Sequence, residues 1–524
     1  METGFRKWIV VVTVVLCTML ELIDTSIVNV ALTQMMGNLS ATLAEVSWVI
    51  AAYAIANVIV VPMSGFFSEQ FGRRNYFAFS VVLFTLASIM CGQSHGIWEL
   101  VAFRFIQGLG GGALMATSQA ILIDTFPPKQ LPLGQALFGM GVIIGPTIGP
   151  TLGGYIVDHF DWPWIFYVNV PVGILATVFT FLFIHDPARL QNRVWRALGD
   201  IDWTGIFLLI AGVGSLQLVL EQGEREDWFE SSYILLFALA AALGIILFIW
   251  RELTTPNPAV DLKVLGRSNP LAWGAFLSFV LGFGLFASVF IIPIFTQRIL
   301  GFTAQQTGFM LLPGAVASGV MMPFIGRALQ AGVKQTRIIP VGFLLFFVFT
   351  TWVSFQISPT AGESDFFWPL MLRGVAMGLI FLPITTMSLS GLQGKDAAQA
   401  SGLTSMLRQL GGSFGVALVG TFIERTDAHR RADLASNLSL WDPETTERLR
   451  QYAANFAQKG YSAVQAQQQA YQALEFNLMK QASLLTYAQT FQYLGGFFLL
   501  CIPLIFFIRL KRATPGEKVD MAAH

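Results

Sequence analysis

Metal ligands and nucleophiles are scarce in this chain of 524 residues, which has only three cysteines and five histidines. Cys17, Cys91 and Cys501 sit in or at the edge of apolar runs without metal-ligand spacing, so neither a disulfide framework nor a zinc site is read from them. His95, His159, His185, His429 and His524 fall outside those runs and offer no histidine relay. No Ser-His or paired-Cys arrangement stands inside an apolar run, which argues against a membrane-embedded enzyme. Charge is sparse too: Asp, Glu, Lys and Arg make up 12% of the chain, and 31 acidic residues cancel 31 basic ones. A neutral chain gives no electrostatic case for a nucleic-acid partner.

Apolar residues are abundant instead, at 54% of the chain with a mean hydropathy of +0.63. That leaves too little polar surface to coat a water-soluble globule of this size. The apolar residues fall into runs of about 18 to 25, long enough to cross a hydrocarbon core of roughly 30 Å as helices. Fourteen such runs can be placed, the last two near 402–423 and 484–509. Arg6 and Lys7 precede the first run as they would in a signal peptide. No small-residue cleavage pattern follows, and the run contains Glu21 and Asp24, so it reads as a retained first helix.

An even number of spans puts both ends of the chain on one side, and Lys and Arg choose the side, because short loops rich in them stay cytoplasmic. With both termini inside, 19 of the 31 basic residues fall in inner loops and tails, among them Arg73, Arg74, Arg189, Arg193, Arg196, Arg509, Lys511, Arg512 and Lys518. Only Arg225 and Arg298 fall in short outer loops. Three arginines, Arg104, Arg373 and Arg408, lie within the spans. The long outer segment 424–483 is rich in Ala, Gln and Glu, and reads as a pair of amphipathic helices projecting from the membrane.

Two signals repeat along the chain. An intramembrane Arg followed by glycine occurs in the fourth span, Arg104 to Gly108, and again in the twelfth, Arg373-Gly374. Gly-rich stretches then follow in the next span of each half, Gly141 to Gly154 and Gly411 to Gly415. If spans 1–6 and 9–14 are duplicated six-helix units, both arginines stand on the fourth helix of their unit and spans 7 and 8 are an insert. The expected organisation is a bundle over 1–190, a two-helix linker over 191–266, and a second bundle over 267–524 carrying the 424–483 loop. Repeats of this kind place a substrate site between the halves, near the bilayer midplane.

Gly141, Gly145, Gly149 and Gly153 recur every fourth residue and so form one bare stripe that admits a neighbouring backbone; Pro146 and Pro150 bend the same helix. Asp24 stands mid-span, where an ionised side chain costs on the order of 3 kcal/mol. Burial favours its neutral form and a facing Arg104 favours the carboxylate, so such a group can exchange a proton with either side. The alternative is a structural ion pair between the first and fourth helices. Glu21, three residues earlier, shares the face and is a second candidate proton site. Arg373 and Arg408 suit anionic substrates or pairing with backbone carbonyls. With 46 Phe and 17 Met, the chain can also line an adaptable apolar cavity.

The run Gly145-Pro146-x-x-Gly149-Pro150-x-x-Gly153-Gly154 resembles the antiporter signature of drug:proton antiporters in the major facilitator superfamily. Arg104-x-x-Gln107-Gly108 resembles the fourth-helix motif of that family, and Gly65-Phe-Phe-Ser-Glu69-Gln70-Phe-Gly72-Arg73-Arg74 its gating loop between helices 2 and 3. Ile23-Asp24-Thr25-Ser26-Ile27-Val28-Asn29-Val30-Ala31 is similar to the first-helix motif of the 14-span EmrB/QacA branch. Glu69, Gln70 and Thr33 depart from the usual Asp, Arg and Pro.

The resemblance implies an all-α integral membrane protein of the major facilitator fold, with 14 transmembrane helices arranged 6+2+6. It implies a proton-driven multidrug efflux transporter working by alternating access, with no cofactor; a proton-coupled exporter or symporter of one metabolite is the alternative. Asp24, Arg104 and Glu21 then carry proton coupling. Asn29, Gln107, Arg373 and Arg408 are the candidate residues of the substrate cavity, and Arg73 and Arg74 would pair across the cytoplasmic seam between the bundles. The partners implied are lipophilic small molecules, protons and the bilayer of the bacterial cytoplasmic (inner) membrane. A periplasmic adaptor of the EmrA type and an outer-membrane channel of the TolC type complete the set, with the Gln-rich stretch from Tyr452 to Ala473 of the 424–483 segment as docking surface; the alternative is a loop that only shields the outer vestibule.

Overall fold

The computed structural model describes residues 4–127, 129–187, 190, 201–392, 394–439 and 441–506. The basic residues at 189, 193, 196, 509, 511, 512 and 518 that enter the orientation tally lie outside this set. Fourteen helices among the described residues are long and apolar enough to cross a bilayer. In chain order they are α1 (Phe5–Asn38), α2 (Leu43–Phe71), α3 (Arg73–Gly92), α4 (Ile97–Thr125), α5 (Leu131–His159), α6 (Trp164–Phe183) and α7 (Trp203–Gln222), followed by α8 (Ser232–Thr254), α9 (Asn269–Arg298), α10 (Ala304–Gln330), α11 (Gln335–Gln356), α12 (Glu363–Ser388) and α13 (Gly394–Ser436). The last is α14 (Ala463–Phe506).

Local chemistry marks the helix starts. Thr42 and Glu45 form a reciprocal capping box at α2, Thr303 and Gln306 another at α10, and Asp202 caps α7 through the Gly205 amide. Between α2 and α3 there is no loop at all: Gly72 alone turns the chain, at φ 88°, a left-handed conformation that a side chain would resist.

Packing separates two six-helix bundles. In the first, α1 lies on α5 and α4, α2 on α4, and α3 on α4 and α6. In the second, α9 lies on α13 and α12, α10 on α12, and α11 on α12 and α14, with α13 on α14. The bundles meet along α5–α10, α2–α13, α4–α13 and α5–α12. Helices α7 and α8 pair with each other and rest against α2 and α13, outside both bundles.

The glycine stripe of α5 finds its neighbour in α1, within its own bundle. A Cβ at Gly145 would stand 2.9 Å from Leu22 Cβ, one at Gly153 2.8 Å from Ile27 Cγ1, and one at Gly149 would collide with Ser26 Oγ. The opposite face of α5 makes the seam. There the glycines belong to α10: Gly308 abuts Thr151, Gly319 faces Met140 and Ile144, and Gly326 faces Pro132 and Ala136. Gly154 adds a contact to Ala304 at the far end. Bare surface thus lets α5 approach helices on two sides, one contact holding a bundle together and the other joining the two.

The segment 424–483 is not a loop with two separate helices, as the sequence reading expected. Helix α13 runs on without a break for 43 residues and α14 for 44, with one further helix, Pro443–Gln458, between them. At about 1.5 Å per residue, each long helix spans roughly 65 Å, twice the hydrocarbon core. The reason is compositional: residues 421–436 contain neither Gly nor Pro, so nothing stops helix propagation past the apolar run. Arg431 pairs with Glu475, Arg430 donates to Gln489 Oε1, and the Phe422 and Tyr493 rings meet at 5.2 Å, tying the two extensions together.

The stripe yields a direct test. Gly149→Leu puts a side chain into the Ser26 contact with no space beside it. The expected outcome is a loss of about 1–3 kcal/mol or more from overpacking, read as a lower unfolding temperature in detergent and reduced membrane abundance. A variant with wild-type thermal stability would show that α1 and α5 do not require this approach.

Candidate functional site

Asp24 sits at the middle of α1 with no exposed surface, and three donors converge on it. Arg104 Nη1 reaches Oδ2 at 2.6 Å, while Gln107 Nε2 and Asn169 Nδ2 reach Oδ1 at 2.9 and 2.7 Å. Arg104, also buried, donates to the Val49 carbonyl at 3.2 Å and to Gln107 Oε1 at 2.8 Å, and its guanidinium lies 4.2 Å from the centre of the Tyr53 ring. Ser88 Oγ accepts from both amides, at 3.2 and 3.1 Å, and donates to the Phe166 carbonyl at 2.9 Å. One ion pair therefore ties α1, α2, α3, α4 and α6 into a single knot. Buried ion pairs persist where extra hydrogen bonds occupy the remaining lone pairs and protons, and four such bonds surround this pair. Sequence reasoning singled out Asp24, Arg104 and Gln107. It missed Ser88 and gave Asn169 no site role, because a lone Ser on α3 carries no motif.

Glu21 takes a different direction. Asn57 Nδ2 donates to its Oε1 at 3.0 Å, and its buried Oε2 has no hydrogen-bond partner. Across the seam stands Arg408 of α13, too far for an ion pair but close enough for the two charges to act on each other. Arg408 donates to Ser405 Oγ and to Met115 Sδ of α4, each at 3.2 Å, and lies 5.2 Å from the centre of the Phe381 ring. Further polar atoms are buried and unpaired: Tyr53 Oη, Asn57 Oδ1, Thr117 Oγ1, Gln119 Nε2, both side-chain atoms of Gln135, and Ser318 Oγ. Glu21, Thr25 and Asn29 follow at four-residue spacing on α1, and they grade from buried through half-buried to exposed. Asn29 thus marks the open end of a polar stripe. Gln107, by contrast, is locked in the Asp24 knot, apart from that stripe.

Arg373 of α12 is buried and donates through Nε to Ser288 Oγ of α9 at 3.1 Å. It does not join Arg408.

The loop motif between α2 and α3 divides its labour. Gly65 makes the seam: a Cβ there would stand 3.1 Å from the Ala398 carbonyl oxygen of α13, and Gly402 of α13 returns the contact to Val61 and Pro62. Ser401 of α13 also crosses, donating to Gln119 Oε1 at 2.8 Å and the Ala116 carbonyl at 3.1 Å. The arginines were expected to pair across this seam; the partners seen for them among the described residues lie within the first bundle. Arg73 is buried against Asp124 of α4 and stands 3.6 Å from Glu69. The Arg74 guanidinium donates to the Phe181 carbonyl at 2.7 Å, and its backbone amide to Asp186 at 3.0 Å. Both clasp the first bundle internally, because the Gly72 turn points the start of α3 back at α4 and α6.

At the opposite end, the turn after α7 docks on α13. Trp228 Nε1 donates to Thr421 Oγ1 at 3.0 Å and Gln217 Nε2 to Ser413 Oγ at 2.8 Å. Burial and the neighbouring Glu424 carboxyl push Glu224 up to about 7, with Arg225 and Arg298 acting the other way.

Two helical bundles enclosing unpaired polar atoms at their seam define a membrane carrier. A family model described as Major Facilitator Superfamily matches residues 14–416. The multidrug export protein EmrB of Escherichia coli K12 is 31% identical over 514 residues, covering 97% of this chain and 96% of that protein. The fatty acid resistance protein FarB of Neisseria gonorrhoeae is 32% identical, covering 85% and 86%. Among solved structures, the human organic anion transporter MFSD10 matches with a TM-score of 0.59 at 14% identity, covering 95% of this chain and 99% of that one. The chain belongs to the Major Facilitator Superfamily, as a multi-pass membrane transporter of the EmrB type.

The two carboxylates separate by stability. Asp24→Asn strands Arg104 as a buried unpaired cation and is expected to cost about 3–5 kcal/mol, seen as lost membrane abundance and a lower unfolding temperature. Glu21→Gln keeps the Asn57 contact and is expected to fold at wild-type levels. Equal abundance of both variants would break the distinction.

Proposed function

We propose that this protein is a multidrug exporter driven by proton entry, and that Glu21 is the carboxyl that takes up and releases the proton. The observation that carries the reading is the contrast between the two acids. Asp24 accepts three hydrogen bonds, all from its own bundle, whereas Glu21 keeps one oxygen without a hydrogen-bond partner and lies within electrostatic reach of Arg408 of the other bundle. The names of the relatives, multidrug export and fatty acid resistance proteins, supply the cargo class.

In this reading the bundles rock about the glycine contacts of α5 with α10. The structure has the seam packed at the end where Gly65 meets Ala398, the end that carries Arg73 and Arg74, while the Glu21–Thr25–Asn29 stripe leads to the opposite end. A proton arriving along the stripe neutralises Glu21 and weakens its hold on Arg408. The seam at Gly65 is then free to part, and the proton leaves on that side. Cargo entering the unpaired polar and aromatic surroundings restores the charge imbalance and resets the carrier. One proton crossing about 100 mV supplies about 2.3 kcal/mol. In this reading the Gly65 end faces the cytoplasm together with both termini, as the lysine and arginine bias favours, and the membrane is the inner membrane of a bacterium.

Glu21→Gln is expected to abolish both drug-evoked proton release and uphill export in proteoliposomes, while the purified protein still binds drug. Undiminished proton release would remove Glu21 from the mechanism.

The paired extensions of α13 and α14, with exposed Trp441, Val464 and Phe476, are the docking surface for a periplasmic adaptor of the EmrA type, which hands cargo to an outer-membrane channel of the TolC type. Arg431–Glu475 brings the extensions side by side, so joining residue 439 to 471 leaves a short hairpin. Deleting 440–470 is expected to spare transport across one bilayer while losing adaptor co-purification and whole-cell resistance. Full adaptor recovery with the deleted chain would exclude this surface.

A further inference from the structure

Besides Arg73 at the start of α3, three arginines among the described residues are buried within the spans, and two of them interact with a carboxylate. Arg104 holds Asp24, and the charges of Arg408 and Glu21 act on each other; among the described residues the hydrogen-bond partner of Arg373 is Ser288. The third case is a departure from the repeat. Ser288 stands on α9 at the register Asp24 occupies on α1, each nineteen residues after the first residue of its helix, Asn269 and Phe5. Arg373 and Arg104 each stand on the fourth helix of their bundle. The second bundle thus reproduces the α1–α4 clamp as an α9–α12 clamp, with a hydroxyl where the first has a carboxylate.

That hydroxyl cannot balance the charge. Ser288 Oγ accepts from Arg373 Nε at 3.1 Å and donates to the Leu285 carbonyl at 3.0 Å, so it is a satisfied neutral group. The terminal nitrogens of Arg373 donate to nothing among the described residues, no acidic side chain lies within ion-pair distance, and the residue is 4% exposed. A histidine or lysine in that position could shed its proton, but a guanidinium does not. An ion held at so little exposure without a facing carboxylate is costly to a marginally stable fold. A counter-ion supplied from outside the chain removes the cost.

We propose that the Arg373–Ser288 clamp between α9 and α12 is a binding site for a monovalent anion, which takes the place that the Asp24 carboxylate fills in the first bundle. Chloride and the carboxylate of an amphiphilic cargo share the required chemistry, a compact single negative charge. The site does not depend on Glu21 being the proton carrier, because it stabilises the second bundle whether or not transport occurs.

The test is thermal unfolding of the detergent-solubilised full chain in sodium chloride against sodium 2-(N-morpholino)ethanesulfonate at equal ionic strength, with a parallel titration of octanoate. Wild type is expected to unfold at a higher temperature as the bound anion is added, with a saturating dependence. Arg373→Met is expected to lose the response and to be at least as stable as wild type in the sulfonate buffer. Ser288→Asp supplies the missing carboxylate within the chain. It is expected to match, in sulfonate buffer, the anion-protected wild type and to gain nothing from added anion. Protection by chloride identifies an inorganic ion, and protection by octanoate alone identifies the cargo carboxylate. The proposal fails if wild type responds to neither anion, or if either variant keeps the full response.

Discussion

A charge inside a membrane must be matched by another charge, and the core of this protein is organised around that requirement. The Arg104–Asp24 pair alone draws in Gln107, Asn169, Ser88 and the Val49 carbonyl, and so sets the mutual placement of five helices. Hydrophobic burial cannot do this, since lipid tails solvate leucine as well as another helix does. The knot makes the first bundle one rigid body, and a rigid body is what a rocking carrier needs on each side of its seam. The seam itself is held differently, by glycine approaches at Gly65, Gly308, Gly326 and Gly402 and by hydrogen bonds from Ser401. Those contacts set glycines against backbone at Ala398, Val61 and Pro62 and against the side chains of Thr151 and Ala136.

The two acids of α1 show how a difference of three positions divides structure from work. At about 100° per residue, positions 21 and 24 lie roughly 60° apart on the helix. That angle suffices to aim Asp24 at α4 and α6 and Glu21 at α2 and the seam. The first is fastened by three donors, and the second keeps one oxygen without a hydrogen-bond partner.

Much of this was legible in the sequence. Hydropathy gave the number of spans, and the glycine spacing of α5 gave a bare stripe. The repeated arginines marked two corresponding positions, and the structure shows one against Asp24 and the other against Ser288. The rest turned on direction and neighbours, which spacing leaves open. Glycine periodicity says that something approaches α5, not that the stripe meets α1 while the other face meets α10. A basic loop says which side it favours, but the Gly72 turn decides that Arg73 and Arg74 clasp their own bundle. Asn169 and Ser88 became partners only when α6 and α3 were brought beside α1. An apolar run marks where a helix is covered by lipid and says nothing of where it ends, so the continuation of α13 and α14 past the membrane was hidden.

That continuation has a mechanical consequence. Helix α13 carries Arg408 and the Gly402 contact at the seam, and then runs unbroken to Ser436. The stretch beyond 424 is about 18 Å long at about 1.5 Å per residue, braced by the antiparallel start of α14. A lever of that stiffness magnifies small angles: when the second bundle tilts, the tip bearing Trp441 sweeps sideways by an amount set by its height above the pivot. Anything that gripped the tip would be pushed or pulled by a tilt too small to part the seam by more than a side chain.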